Sequence, residues 1–249
     1  MFKNYQNIFD QRGMNYHQAM IKYPSARKDE FQNAIKLLDL QNNHLLLDIP
    51  SGGCYISNFI DHNLTIFSTE TSKQFINHSQ IDTNNNILIC NNFNNIPLNS
   101  NSIDRVLSLA ALHHIEDKIS FYQEIYRLLK NDSIFCIGDV LEGSKVANFL
   151  NIFVDKNNSM GHEGSFLTEK IKLELENIKF NVIYDSVINY YWYFESFSNM
   201  IDFCKLLFGL DKANDQQIEK GIDHYLGYFV NNNKCYMNWE LYFVKAIKS

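Results

Sequence analysis

The 249-residue chain has few cysteines, few prolines and no long apolar run. Its five cysteines (Cys54, Cys90, Cys136, Cys204 and Cys235) are scattered, odd in number and free of any CxxC pair. That pattern excludes a disulfide framework and a zinc knuckle and reads as small buried hydrophobes. Only three prolines occur, and no stretch is rich in Pro, Gly or Ser, so neither a linker nor a repeat divides the chain. No window approaches the roughly 18 uninterrupted apolar residues of a membrane-spanning helix, and the first ten residues lack the basic start and apolar run of a secretory signal. The expectation is a cytoplasmic protein without a membrane partner. Basic charge is also short, 22 Lys+Arg against 28 Asp+Glu for a net charge of −6, so nucleic acid is not an expected partner. What the chain does have is apolar material, 45% hydrophobic and 14% aromatic, enough for a sizeable core.

Between residue 44 and about 139, short β-branched or leucine-rich runs alternate with helical patterns, which is how a parallel sheet with crossover helices is written. Strands are expected at His44–Ile49, Thr65–Thr69, Asn86–Cys90, Arg105–Leu109 and Ser133–Val140, with helices at Tyr55–Asp61, Ser72–Asn77 and Ile119–Leu129. Ala26–Leu38 and a short Tyr16–Lys22 read as an N-terminal helical cap. Beyond residue 141, Val146–Phe153, Thr168–Glu176, Phe197–Phe208 and Gln216–Phe229 read as helices, more than one crossover needs. Lys179–Val187 and Tyr236–Lys248 alternate as a closing antiparallel pair. The expected fold is a Rossmann-like α/β, seven-stranded, doubly wound sheet in a single domain over 1–249. Its parts are a cap over 1–40, a core over 41–140, and an inserted helical lid with C-terminal strands over 141–249.

The informative stretch is Leu45 to Cys54, where an apolar strand ends in Asp48 and runs through Ile49, Pro50 and Ser51 into Gly52 and Gly53. Such a strand and tight glycine turn hold a nucleotide-like ligand against exposed backbone, because a Cβ there would meet the ligand or forbid the turn. About 20 residues on, Glu70 ends the next strand at the spacing where a carboxylate accepts from vicinal ribose hydroxyls. A nicotinamide dinucleotide fingerprint would need a glycine where Tyr55 stands, and the pyrophosphate would meet bulk there.

With these elements, Asn91 to Leu98, Ser102 to Ser108, Leu112 to Asp117 and Phe121 to Lys130 follow in the order found in class I S-adenosylmethionine-dependent methyltransferases. The block from Leu45 to Asp139 resembles that family, in particular the small-molecule enzymes of the ubiquinone-biosynthesis type. Pro50 and Cys54 replace the first and last glycines of the usual turn, and Asn131, Asp132 and Ser133 replace a Pro-Gly-Gly. The resemblance implies S-adenosyl-L-methionine as cofactor and S-adenosyl-L-homocysteine as product. It implies Asp48, Pro50, Ser51, Gly52 and Gly53 beside the methionine part, Glu70 and Thr71 at the ribose, and Asn91, Asn92 and Phe93 at the adenine. Leu109 and Ala110 would floor the site by the sulfonium, and Arg27 would pair with the cofactor carboxylate.

Methyl transfer from a sulfonium is an in-line displacement governed by positioning, and it needs a general base only when the nucleophile starts protonated. His114 is the first candidate for that base, then His113 and the glycine-flanked His162, since imidazole titrates near working pH. No residue spacing indicates a metal site. Tyr191 and Trp192, within the aromatic run Tyr190–Phe194, are candidates for the substrate wall, as are Tyr16 and Tyr23 in the cap. The aromatic run would equally serve a core or a homodimer interface. The expected activity is methylation of a small molecule, on a carboxyl or hydroxyl oxygen first and on nitrogen next. A cofactor-binding cyclase or decarboxylase and an inactive scaffold subunit are the alternatives.

Overall fold

The structure is a computed structural model and describes residues 5–79 and 86–249. Strands β1 (Leu45–Asp48), β2 (Thr65–Glu70), β3 (Asn86–Cys90), β4 (Ile103–Leu109) and β5 (Leu129–Asp139) form the parallel part of the sheet. Strands β6 (Phe180–Phe194) and β8 (Lys234–Lys248) close it antiparallel against β5, in the order β3-β2-β1-β4-β5-β8-β6. A short β7 (Tyr228–Asn231) pairs with β8, making eight strands among the described residues where the sequence suggested seven.

Strand alternation sorts side chains into two cores on the two faces of the sheet. Leu46, Leu107, Cys136 and Phe243 join one hydrophobic cluster, and Leu47, Val106, Phe135 and Val244 the other. The first is packed by α2 (Lys28–Leu38) and α8 (Phe197–Phe208), the second by α4 (Lys118–Leu128) and α7 (Ile171–Asn177). Helix α9 (Asp215–Tyr225) starts at a capping box built by Asn214 and Gln217 and contributes Ile218 and Ile222 to the first cluster.

Three departures from the sequence reading bear on the site. Helix α1 runs from Tyr5 to Lys22, not only over its last seven residues. A Cβ at Gly13, in the middle of α1, would lie 2.8 Å from Gln74 Cβ, so the glycine lets α1 press onto α3 (Lys73–His78). The aromatic run at 190–194 is not a separate wall but the far half of β6, paired residue by residue with β8. The helix expected over Val146–Phe153 is α5 (Lys145–Asn148), a π-helical turn over Phe149–Val154, and α6 (Asp155–Asn157), in unbroken succession. Among the described residues, no helix is long and apolar enough to cross a membrane.

Candidate active site

The order of the sheet reverses between β1 and β4, and ligands of open α/β sheets bind in the crevice at the carboxyl ends of such neighbouring strands. Asp48, Glu70, Leu109 and Asp139 end β1, β2, β4 and β5, so the fold gathers them along one edge. The turn after β1 is built on Gly52 at φ 56° and Gly53 at φ 105°, where a Cβ on Gly53 would strike the Tyr55 ring at 2.7 Å. Ala110 also lies in the left-handed region, at φ 51°, a strained conformation for a residue with a Cβ. It reverses the chain after β4 and delivers the one-turn 3-10 helix Leu112–His114 over the sheet edge.

Two small cavities meet at this edge. The first, about 40 Å³, is lined by Asp48, Pro50, Ser51, Gly52, Tyr55, Leu109 and Ala110 from the sheet side and by Tyr5, Phe9 and Tyr16 from α1. Glu70 is buried beside it with all its bonds made. One carboxylate oxygen accepts from the Thr71 and Ser72 amides, both at 2.8 Å, and the other from the Gly52 amide at 3.0 Å and the Tyr5 hydroxyl at 2.8 Å. Burial pushes the Glu70 carboxyl up to about 7 despite those donors. Asp48 is 4% exposed and accepts no hydrogen bond among the described residues; burial and then the neighbouring Glu70 hold it well above the usual carboxylate range.

The second cavity, about 70 Å³, shares Phe9, Tyr16, Arg27 and Ala110 with the first and adds His113, His114, His162, Arg12, Trp192 and Trp239. His113 Nδ1 lies 2.6 Å from Asp139 Oδ1, and His162 Nδ1 lies 2.9 Å from Asn151 Oδ1. His114 and His162 are both held well below the ordinary histidine value, by burial first and then by the neighbouring His113. Arg12 is partly buried with no ion-pair partner within 4 Å among the described residues, and burial brings its guanidinium down to about 10. Arg27 is fully enclosed. Burial alone would lower it, but Glu30 and Tyr16 outweigh that and keep it charged.

Most of the expected cofactor residues converge here, but several are placed differently. Asn91 and Asn92 do not enter the cavity: Asn91 Nδ2 donates to the Asn95 carbonyl, and the exposed Asn92 caps the Asn94 amide. Short amide side chains in a loop satisfy neighbouring backbone first. Phe93 is buried, edge-on to Tyr5 at 5.3 Å. Arg27 bonds to Glu30 and Tyr16 and lies over the Trp192 ring, so it is not free to seek a carboxylate. Of the substrate candidates, Tyr16 and Trp192 line the second cavity. Tyr191 points the other way, 44% exposed, because neighbours on a strand alternate faces. Tyr23 donates to Asp202 on α8, away from both cavities.

Sequence reasoning missed Tyr5, Phe9, Arg12, Glu30, Asp139 and Asn151. Glu30, three residues after Arg27 on α2 and bonded to Trp192 Nε1 at 2.9 Å, had a helical spacing that could have revealed it. Arg12 and Asn151 carried no such signal.

The donor set at the first cavity suits S-adenosylmethionine: two buried acids, a glycine turn presenting backbone, and an aromatic shell. Its free volume is far below the roughly 300 Å³ of ordinary small-molecule pockets, because Tyr5, Phe9 and Tyr16 stand in it. Tyr5 presents its hydroxyl to Glu70 where a ribose hydroxyl would bond.

Residues 47–137 match the family model described as a methyltransferase domain. No curated protein matches the chain. A protein of Bacillus halodurans C-125 assigned as a methyltransferase superposes with a TM-score of 0.64 at 15% identity, over 88% of this chain and 99% of its own. An S-adenosylmethionine-dependent methyltransferase of Thermotoga maritima gives 0.63 at 13%, over 98% and 99%. The cyclase SpnF gives 0.68 at 13%, over 98% and 94%. Residues 47–137 thus match a methyltransferase domain, and the chain has the fold of the class I S-adenosylmethionine-dependent methyltransferases; that domain match and fold imply S-adenosylmethionine as cofactor.

Proposed function

We propose that this protein, acting as a single domain, methylates a small molecule, on a carboxyl or hydroxyl oxygen first and on nitrogen next. The observation that carries the reading is the second cavity. It adjoins the cofactor cavity through Ala110 and is walled by Trp192, Phe208 and Trp239, with Arg12 and three histidines at its polar end. Bound S-adenosylmethionine supplies an activated methyl group, which leaves the chain the work of positioning and exclusion. Aromatic walls hold the acceptor and keep water out, a contribution that can reach roughly 7–11 kcal/mol. Arg12, short of an anionic partner, suits a carboxylate on the acceptor. His114 would take a proton from a hydroxyl, being neutral at physiological pH with Nδ1 unpartnered among the described residues. Neither cavity carries the basic surface that a nucleic acid needs, and a cytoplasmic protein working on a soluble metabolite is the setting this implies.

The alternative, a cofactor-binding protein that does not methylate, draws on the likeness to SpnF, a cyclase. Incubation with S-adenosylmethionine and a panel of aromatic acids, phenols and amines separates the two. Methyl transfer yields equimolar S-adenosylhomocysteine and methylated acceptor. A cyclase changes its substrate with neither product.

A further inference from the structure

We propose that His113, His114 and His162 form a binding site for a divalent transition-metal ion, at the polar end of the second cavity. The three imidazoles are 6%, 5% and 8% exposed, and one ring nitrogen from each lies within 4.8 Å of those of the other two. His113 and His114 come from the turn after β4, and His162 from the loop after α6. That loop is tied down where the Ser165 amide donates to the His113 carbonyl at 2.8 Å and the Leu167 amide to the Val140 carbonyl at 2.9 Å.

Hydrogen bonding fixes which nitrogens can ligate. Asp139 offers His113 only an acceptor. Asn151 does the same for His162: its Oδ1 also accepts from the Gly164 amide at 2.9 Å and its Nδ2 donates to the Gly164 carbonyl at 3.1 Å, which sets the orientation of the amide. Both Nδ1 atoms therefore carry the proton, and both Nε2 lone pairs are left over. An imidazole oriented from behind by a carboxylate or amide oxygen is the usual outer shell of a metal-bound histidine. His114 Nδ1 is buried without a hydrogen-bond partner among the described residues, which costs stability unless the nitrogen is satisfied. Three buried imidazoles, each offering one ring nitrogen within 4.8 Å of those of the other two, suit a cation.

Zinc–imidazole bonds of 2.0–2.1 Å place tetrahedral ligand nitrogens about 3.4 Å apart, a contraction that side-chain rotation supplies. Imidazole ligands favour zinc, cobalt, nickel, copper or iron over magnesium or calcium. Arg12 and Lys118 are the nearby cations, and Asp139 is the acid behind the site, so the open fourth position suits an oxygen anion rather than another neutral group. In the loaded protein the imidazoles are ligands, and the proton-accepting role of His114 belongs to the metal-free form. The sequence hid the site because two ligands are adjacent and the third lies far along the chain.

The test is titration of the chelator-treated, dialysed full chain with Co²⁺, followed by visible absorption and reversed with Zn²⁺. One equivalent of Co²⁺ should give the intense bands of a four-coordinate site, and Zn²⁺ should abolish them. His162→Ala should weaken binding at least tenfold, and Asn151→Ala, which removes only the outer-shell oxygen, by about 10–100-fold. His78→Ala, at the other close histidine pair, with its ring 5.4 Å from His17, should leave the titration unchanged. Far-UV circular dichroism establishes that each variant is folded. Absence of saturable binding by the wild type, or binding of unchanged affinity in folded His162→Ala, overturns the proposal. Cofactor affinity is measured separately, so a missing metal site leaves the methyl-transfer reading standing.

Discussion

Replacing Tyr5 by Phe should weaken the resting fold and strengthen cofactor binding at once. The Tyr5 hydroxyl donates to Glu70 at 2.8 Å inside a buried site, a charge-assisted bond of about 1.5–3 kcal/mol. Its loss leaves Glu70 three backbone donors, so the net cost is at the lower end, about 1.5 kcal/mol. For a chain of this length that lowers Tm by about 3–6 °C. A ribose hydroxyl must displace the same donor, so the energy lost from the closed form returns as affinity, about tenfold in Kd. Differential scanning fluorimetry and calorimetric titration with S-adenosylhomocysteine read the two effects. Both should shrink below pH 7, where Glu70 becomes protonated and the bond loses its charge. A Tyr5→Phe protein with unchanged Tm and weaker cofactor binding would refute the reasoning, because Tyr5 would then contact the cofactor instead of standing in its place.

Glu30→Ala should destabilise by about 3–5 kcal/mol in chemical denaturation, because it leaves the enclosed Arg27 guanidinium without its carboxylate and Trp192 Nε1 without its acceptor. Trp192→Ala should cost about 3–5 kcal/mol by opening a cavity between Phe203 and the stacked Trp239, and a loss under 1 kcal/mol would show that the aromatic cluster is loosely packed. Glu70 binds its proton more tightly folded, at about 7, than unfolded near 4.5, so its burial costs nothing below 4.5 and costs progressively more as pH rises to 7. The stability of the wild type relative to Glu70→Gln should therefore fall by about 3 kcal/mol across that window, in urea titrations at matched pH. A flat difference would mean that Glu70 is not desolvated.

The parallel half of the fold was readable because its strands are short apolar runs ended by acids and turn residues, which the fold lines up along one edge of the sheet. Asp48 and Glu70 could be placed from sequence for that reason. What could not be read depended on tertiary contact. The helix expected over Tyr16–Lys22 left out the part of α1 that carries Tyr5 and Phe9, so both were missed. Tyr191 and Trp192 looked equivalent as aromatics, and only the register of β6 against β8 separates the exposed ring from the buried one. Asn92 carried the right position but lay in a loop whose own backbone takes its side chain. His162 could be singled out as a reactive type in a flexible segment, but not brought against His113 without the path of the loop after α6.

Calorimetric titration of the wild type and Glu70→Ala with S-adenosylmethionine tests the central claim most directly. The account predicts saturable one-to-one binding by the wild type and a loss of at least tenfold in the variant, with the variant still folded. No binding by the wild type, or equal binding by both, would contradict it.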